Sequence, residues 1–219
     1  MNGTNSPGVS ASKPQPHQVT ADFEAALCEY TGARFAVTTT SCTQALLMTL
    51  VWFRLKWAVN HFMPSTEVSV PRRTYVGVPA SVLNAGCGVA FRDEDWHGEY
   101  QLAPFPLWDS ARRFTSGMFR PGEMQCLSFH WSKILGLSQG GAILHDDPDA
   151  DAWLRRARFD GRAEGVPVQH DQIQFPSWHA YLSPEVSAQG LMKLSLLPRH
   201  NADLPLSDYP DLSTLEAFK

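Results

Sequence analysis

Residues 23–50 read FEAALCEYTGARFAVTTTSCTQALLMTL, and this stretch holds a complete helix–strand–helix unit. Phe23, Ala26, Leu27 and Tyr30 recur at i, i+3, i+4 and i+7. That spacing predicts a helix over about 20–30, capped by Thr20 and stopped by Gly32. RFAVTTT (34–40) is short and β-prone. The segment from Ser41 onward is apolar on most sides, which predicts a long buried helix. The local plan is strand, short turn, helix.

Outward from that unit the alternation repeats. EVSVP (67–71) predicts a strand, TYVGVPASVLNAG (74–86) a loop entering a helix ended by Gly86, and CGVAF (87–91) another strand. APFPLWDSA (103–111) places a strand through Leu107 and Trp108, with Asp109 at its carboxyl end. MQCLSFH (124–130) and GGAILHDD (140–147) predict strands bracketing the loop that carries Lys133; helices are expected over 149–158 and 184–194. This order predicts an α/β fold, a mostly parallel sheet with helices on both faces. The domain reading is a flexible segment at 1–18, a large domain at 19–165 and a C-terminal region at 166–219.

Composition narrows the classes. With 43% hydrophobic and 18% charged residues, 219 residues suffice for a core without disulfide or metal staples. A net charge of −4 offers no dense basic face, which argues against nucleic acid and anionic membranes as partners. Cys28, Cys42, Cys87 and Cys126 have no C-x-x-C spacing, so they read as reduced thiols of a cytoplasmic protein and not as zinc ligands. The first 18 residues lack the basic start and apolar run of a signal peptide, and the longest apolar run, Ala45–Val59, is broken by Arg54 and Lys56.

In sheets of this class ligands bind beyond the carboxyl ends of the strands, and three segments fall there. Thr40–Ser41–Cys42–Thr43 offers hydroxyls and free N–H groups at a helix N-terminus, suited to phosphate; the plainer reading is an ordinary helix cap. Asp109 follows an apolar run, where a carboxylate needs a partner. Arg112 or Arg113 would serve, or the protonated nitrogen of a heterocyclic cofactor. Lys133 lies among Phe129, Trp131, Ile134 and Leu135, with Gly140–Gly141 permitting close backbone approach. A lone lysine is commonly a solvated surface residue. In apolar surroundings it is instead desolvated, which favours the neutral amine that Schiff-base chemistry needs. An acidic run with a histidine, Asp93–Glu94–Asp95 and His97, is a weak metal candidate and reads more simply as a solvated loop.

Taken in order, these segments resemble the DegT/StrS-type nucleotide-sugar aminotransferases, over residues 23–93 and 108 to about 199. The resemblance implies the type I fold of pyridoxal-phosphate (PLP) enzymes and PLP as cofactor. SCTQAL is similar to a phosphate-binding S-x-T-x-A-L motif, which implicates Cys42 and Thr43. The threonine–aromatic step in EVSVPRRTYVGVPASVLNAG implies that Tyr75 stacks on the cofactor ring. WDSARRF resembles E-D-A-A, implying that Asp109 partners the ring nitrogen, with Arg112 where the family has glutamine or histidine. SFHWSK keeps the five-residue step from a phosphate-binding serine, Ser128, to the Schiff-base lysine, Lys133. QGGAILHDD resembles the glycine–aspartate block that follows in the family.

Two departures stand out. Only fifteen residues, 94–108, occupy a passage where the family has a further β/α unit, and the small C-terminal domain is truncated. His179–Ala180–Tyr181–Leu182 replaces N-Y-R-M, so His179 is the residue implied to reach the partner subunit's site in a homodimer. The implied activity moves an amino group from an amino acid, glutamate for preference, to a keto acceptor. That acceptor is a nucleotide-linked ketosugar or a smaller keto compound, its anionic group met by Arg112, Arg113 or Arg72. A PLP-dependent elimination and a non-catalytic, regulatory PLP-fold protein are the alternatives. The elimination is disfavoured because dehydratases similar to this family replace the lysine with histidine.

Overall fold

The computed structural model describes residues 17–58 and 66–218. Its elements are α1 (Gln18–Thr31), β1 (Phe35–Thr39), α2 (Cys42–Ala58), β2 (Glu67–Pro71), α3 (Gly77–Asn84), β3 (Gly88–Arg92), β4 (Tyr100–Gln101), β5 (Leu107–Asp109), β6 (Met124–Ser128), β7 (Gly141–His145), α4 (Pro148–Ala157) and α5 (Pro184–Leu196). Most of the expected lead-in at 1–18 lies outside the described residues.

Local chemistry sets the helix ends. α1 stops where Gly32 takes φ +83°, and its N–H closes the last turn on the Cys28 carbonyl. α4 starts at Asp147, whose carboxylate accepts from the N–H groups of Asp149 and Ala150, with Pro148 in the first turn. α5 repeats the device with Ser183 and Pro184.

One sheet runs β1-β7-β6-β5-β4, and β2 and β3 form a parallel pair. The pair is tied to the larger sheet by Ser69 N–H donating to the Ala103 carbonyl at 2.8 Å. β5–β6 is parallel, whereas β1–β7, β6–β7 and β4–β5 are antiparallel. The sheet is therefore mixed, where the sequence predicted a mostly parallel one. The connections explain the difference. β6 and β7 are joined by a loop with no helix, and β4 and β5 by five residues, 102–106, so neither link can make the long crossover a parallel pair needs.

Both faces are covered, and the strands alternate between them. Val37, Cys126 and Ile143 face one core with Leu46, Leu50 and Leu154. Ala36, Leu127, Ala142 and Leu144 face the other, with Phe23 and Leu27 of α1 and Leu194 of α5. This two-residue period is what a strand buried on both sides requires. α2, apolar on most sides, packs against the sheet, α3 and α4.

Two observations bear on the site. The passage 94–108, which the sequence suggested had lost a β/α unit, forms β4. After α5, the extended chain is fastened back across the body: Leu204 N–H donates to the Arg112 carbonyl and Leu212 N–H to the Arg72 carbonyl, both at 2.9 Å. The four cysteines are free thiols. Among the described residues no helix is long and apolar enough to cross a membrane.

Candidate active site

A cavity of about 380 Å³ opens at the carboxyl ends of β1, β5 and β6. Cys42, Thr43, Tyr75, Asp109, Arg112, Ser128 and Lys133 all line it. Residues spread over more than ninety positions of sequence thus meet in one place.

The α2 end of the cavity follows from the β1–α2 turn. Ser41 Oγ accepts from Gln44 N–H at 3.1 Å, so Ser41 is the helix cap, as the plainer reading had it. Capping satisfies only one of the first-turn N–H groups, and the helix dipole still favours an anion at this end. Thr43 is held from behind, because Ser81 Oγ donates to its carbonyl at 3.0 Å. Gly77 keeps α3 close: a Cβ there would lie 2.8 Å from Thr43 Oγ1 and from the Tyr75 ring.

Asp109 ends β5 and is 4% exposed. Its Oδ1 accepts from Ala111 N–H at 2.9 Å and, weakly, from the Cys42 thiol at 3.8 Å. Its Oδ2 accepts from the Tyr100 hydroxyl at 2.7 Å. Burial pushes the carboxyl above its ordinary pKa; the Tyr100 and Ala111 hydrogen bonds and the Lys133 charge offset part of that rise. Arg112 and Arg113 do not pair with it.

Lys133 sits in the turn after β6, where its N–H donates to the His130 carbonyl at 2.8 Å. The loop is anchored by buried Phe129, Leu135 and Leu137, and by the Lys193 ammonium of α5 donating to the Gly136 carbonyl. Lys133 is half-buried. Desolvation lowers its pKa and the Arg112 charge lowers it further, while Asp109 and Cys42 act in the opposite sense. A depressed lysine carries more neutral amine near neutral pH.

The other predicted residues divide. Tyr75 is 54% exposed at the mouth. Arg112 lines the wall with its Nε buried and without a hydrogen-bond partner, its guanidinium 5.9 Å from the Tyr209 ring. Arg113 and Arg72 do not reach the lining. Arg113 is held by Glu99 and Asp203, and Arg72 by Asp93 and Asp211. His179 is likewise outside it, bonded to Asp160 at 2.7 Å with an exposed ring. The acidic run assembles no metal cluster among the described residues: Asp93 faces Arg72 and Arg73, Glu94 faces Arg92, and His97 lies against Asp203.

Sequence reasoning missed several lining residues: Thr74, Trp96, His130, Gln139 and Tyr209. It also missed Tyr100 behind Asp109. Thr74 and His130 adjoin residues already singled out, so their proximity was a usable signal. Tyr209 had none, because it arrives from the far end of the chain.

The lining has the donor set that PLP needs: an amine, a buried carboxylate, hydroxyls at a helix N-terminus, and an aromatic ring. Comparisons with known proteins agree. Residues 15–104 match the model of the DegT/DnrJ/EryC1/StrS aminotransferase family. No curated protein matches the sequence. The fold is similar to that of the sugar aminotransferase CalS13 of Micromonospora echinospora (TM-score 0.65, 18% identity, 85% of this chain and 63% of that one). It is similar also to Helicobacter pylori PseC, an aminotransferase involved in the biosynthesis of pseudoaminic acid (TM-score 0.64, 16% identity, 84% and 63%). A DegT/DnrJ/EryC1/StrS aminotransferase of Brucella abortus gives a TM-score of 0.64 at 19% identity, covering 81% and 58%. The chain thus spans less than two thirds of the length of each of these structures. Residues 15–104 are thus similar to the DegT/DnrJ/EryC1/StrS aminotransferase family, whose cofactor is pyridoxal phosphate, and the chain shares the fold of the solved aminotransferases.

Proposed function

We propose that the chain is a PLP-dependent aminotransferase, moving an amino group from an amino acid, glutamate in our reading, to a keto substrate. The acceptor class we assign is a nucleotide-linked ketosugar or a smaller keto compound. The observation that carries this reading is the placement of Lys133, its pKa depressed, in one cavity with the buried Asp109.

PLP, when bound, supplies a carbonyl that takes up an amino group and a ring that withdraws electrons from the adjoining carbon. Lys133 Nζ would hold that carbonyl, and as a neutral amine it is the group placed to move the proton at the donor's Cα. Asp109 would keep a proton on the ring nitrogen. Thr43, Ser128 and the first turn of α2, opened by Cys42, hold the phosphate. Tyr75 would cover the ring face. Arg112, with a buried unpartnered Nε, binds the substrate's carboxylate or phosphate, while Arg72 and Arg113 are engaged by their own carboxylates. We further propose a cytoplasmic homodimer in which the exposed His179 faces the partner's site.

The test is spectroscopic. Protein supplied with PLP acquires a visible absorbance band that borohydride bleaches, and Lys133→Ala abolishes it. Glutamate then converts the band to that of pyridoxamine phosphate. A protein that never takes up PLP sinks the reading, and a band that no amino donor converts sinks the amino transfer.

A further inference from the structure

Tyr100 stands opposite Asp109 in the β4–β5 ladder, so the two side chains leave the sheet on the same face. It is 3% exposed. Its hydroxyl lies 2.7 Å from Asp109 Oδ2 and 2.6 Å from Thr74 Oγ1. A phenol has a single proton to give. With that proton directed to the carboxylate, Thr74 must donate to the phenol oxygen, so a one-way chain runs Thr74 to Tyr100 to Asp109. The Tyr100 ring also packs edge-on against Trp96, centroids 4.7 Å apart, and both Thr74 and Trp96 line the cavity.

We propose that Tyr100 is the positioning residue for Asp109: its hydroxyl fixes the carboxylate through Oδ2 and holds it as the anion that the ring nitrogen of PLP requires. This rests on the functional reading above. Among the described residues Asp109 is the one carboxylate of the lining, and it sits where burial disfavours its charge. The groups that face it are Tyr100 from β4, the Cys42 thiol from α2, the Cys126 thiol from β6, and Lys133 from the β6–β7 loop. Of the influences that favour its charge, the Tyr100 hydrogen bond is the largest. Burial and the Asp109 charge push the Tyr100 phenol itself well up, so it keeps its proton and remains a donor throughout the working range. Such a donor is missing from any reading that treats 94–108 only as a shortened link.

Two measurements test this on the full chain. In cofactor-free protein, carbon NMR of the aspartate carboxyls, with Asp109 assigned by Asp109→Asn, reads the titration of Asp109. Tyr100→Phe is expected to move its midpoint upward by about one to two pH units, the worth of a hydrogen bond to a charged group. In the PLP-loaded protein, the same variant still forms the visible band. The band's pH midpoint moves in the direction that Asp109→Asn moves it. Thr74→Val, which leaves the phenol in place, gives smaller shifts of the same sign and serves if Tyr100→Phe does not fold. If the wild type binds PLP and the variants reproduce its two midpoints, the role of Tyr100 is overturned while the functional reading stands. If the wild type takes up no PLP, the functional reading falls and the role of Tyr100 toward the cofactor falls with it.

Discussion

Arg112 is the cavity-lining arginine whose charge Lys133 feels, and among the described residues no carboxylate forms a salt bridge with it. Burial is the first cause of the depressed Lys133 amine and Arg112 the second. Removing the guanidinium should therefore return part of that depression. For Arg112→Met we expect the rate of PLP uptake, measured against pH, to rise only at higher pH than in the wild type. Below that limb, uptake slows about tenfold for each pH unit moved, because the neutral amine is the reacting form. An unmoved limb would mean that burial alone sets the amine. In the sequence Lys133 stood out not by its apolar flank alone but with Ser128 five residues before it, Gly140–Gly141 after it and Asp109 upstream. The structure brings Ser128, Gly140 and Asp109 to the same cavity. Tyr100 did not stand out, because nothing local marks a tyrosine as the partner of an aspartate nine residues on.

At the level of elements, a tight joint lies where β7 begins against the start of α2. A Cβ on Gly141 would lie 2.5 Å from the Cys42 nitrogen, 2.6 Å from the Ser41 carbonyl carbon and 2.7 Å from the Leu127 oxygen. All three are backbone atoms and cannot rotate away. Gly141→Ala is expected to cost about 1–3 kcal/mol in urea unfolding, as overpacking does. Since the displaced backbone is the first turn of α2, PLP affinity should fall as well. A variant with wild-type stability and wild-type affinity would show that this joint is looser than its contacts imply. The elements with a clear period were readable in sequence: α1 from its i, i+3, i+4, i+7 stripe, β6 and β7 from short apolar runs. β4 was not, since Tyr100–Gln101 is too short to carry any period. Strand direction was not legible either. It depended on the helix-free link from β6 to β7, and apolar runs look alike whichever way a buried strand points.

Across the whole molecule, a buried ion cluster joins α1, β1 and the end of α4. Glu24 accepts from Arg158 and Arg155, and also from Thr38 N–H and Oγ1, each at 2.8 Å. Arg158 is 1% exposed and also reaches Glu164 at 2.9 Å. Burial alone would raise the Glu24 carboxyl. The two guanidinium groups and the Thr38 hydrogen bond outweigh it and hold the pKa below the ordinary value. A depressed carboxylate stabilises the fold above its unfolded pKa, and that contribution is lost as pH falls through the folded one. Glu24→Gln leaves the buried Arg158 with Glu164 as its remaining carboxylate, and a loss of about 3 kcal/mol, the low end for a broken buried pair, is expected at neutral pH. The gap from wild type should close as the solution is acidified below pH 4.5, the ordinary glutamate value. Equal urea midpoints at neutral pH would refute this.

The segment after α5 gives the cavity Tyr209 and is fastened at Arg112 and Arg72. Its consequence is one of timing. The cavity wall draws on both Thr40 and Tyr209, so everything between those two residues must leave the ribosome before the wall can close. Until then the cleft around Lys133 lacks the part of its wall that Tyr209 supplies. The wall around Lys133 is therefore completed only after β7, the last strand among the described residues, has been made.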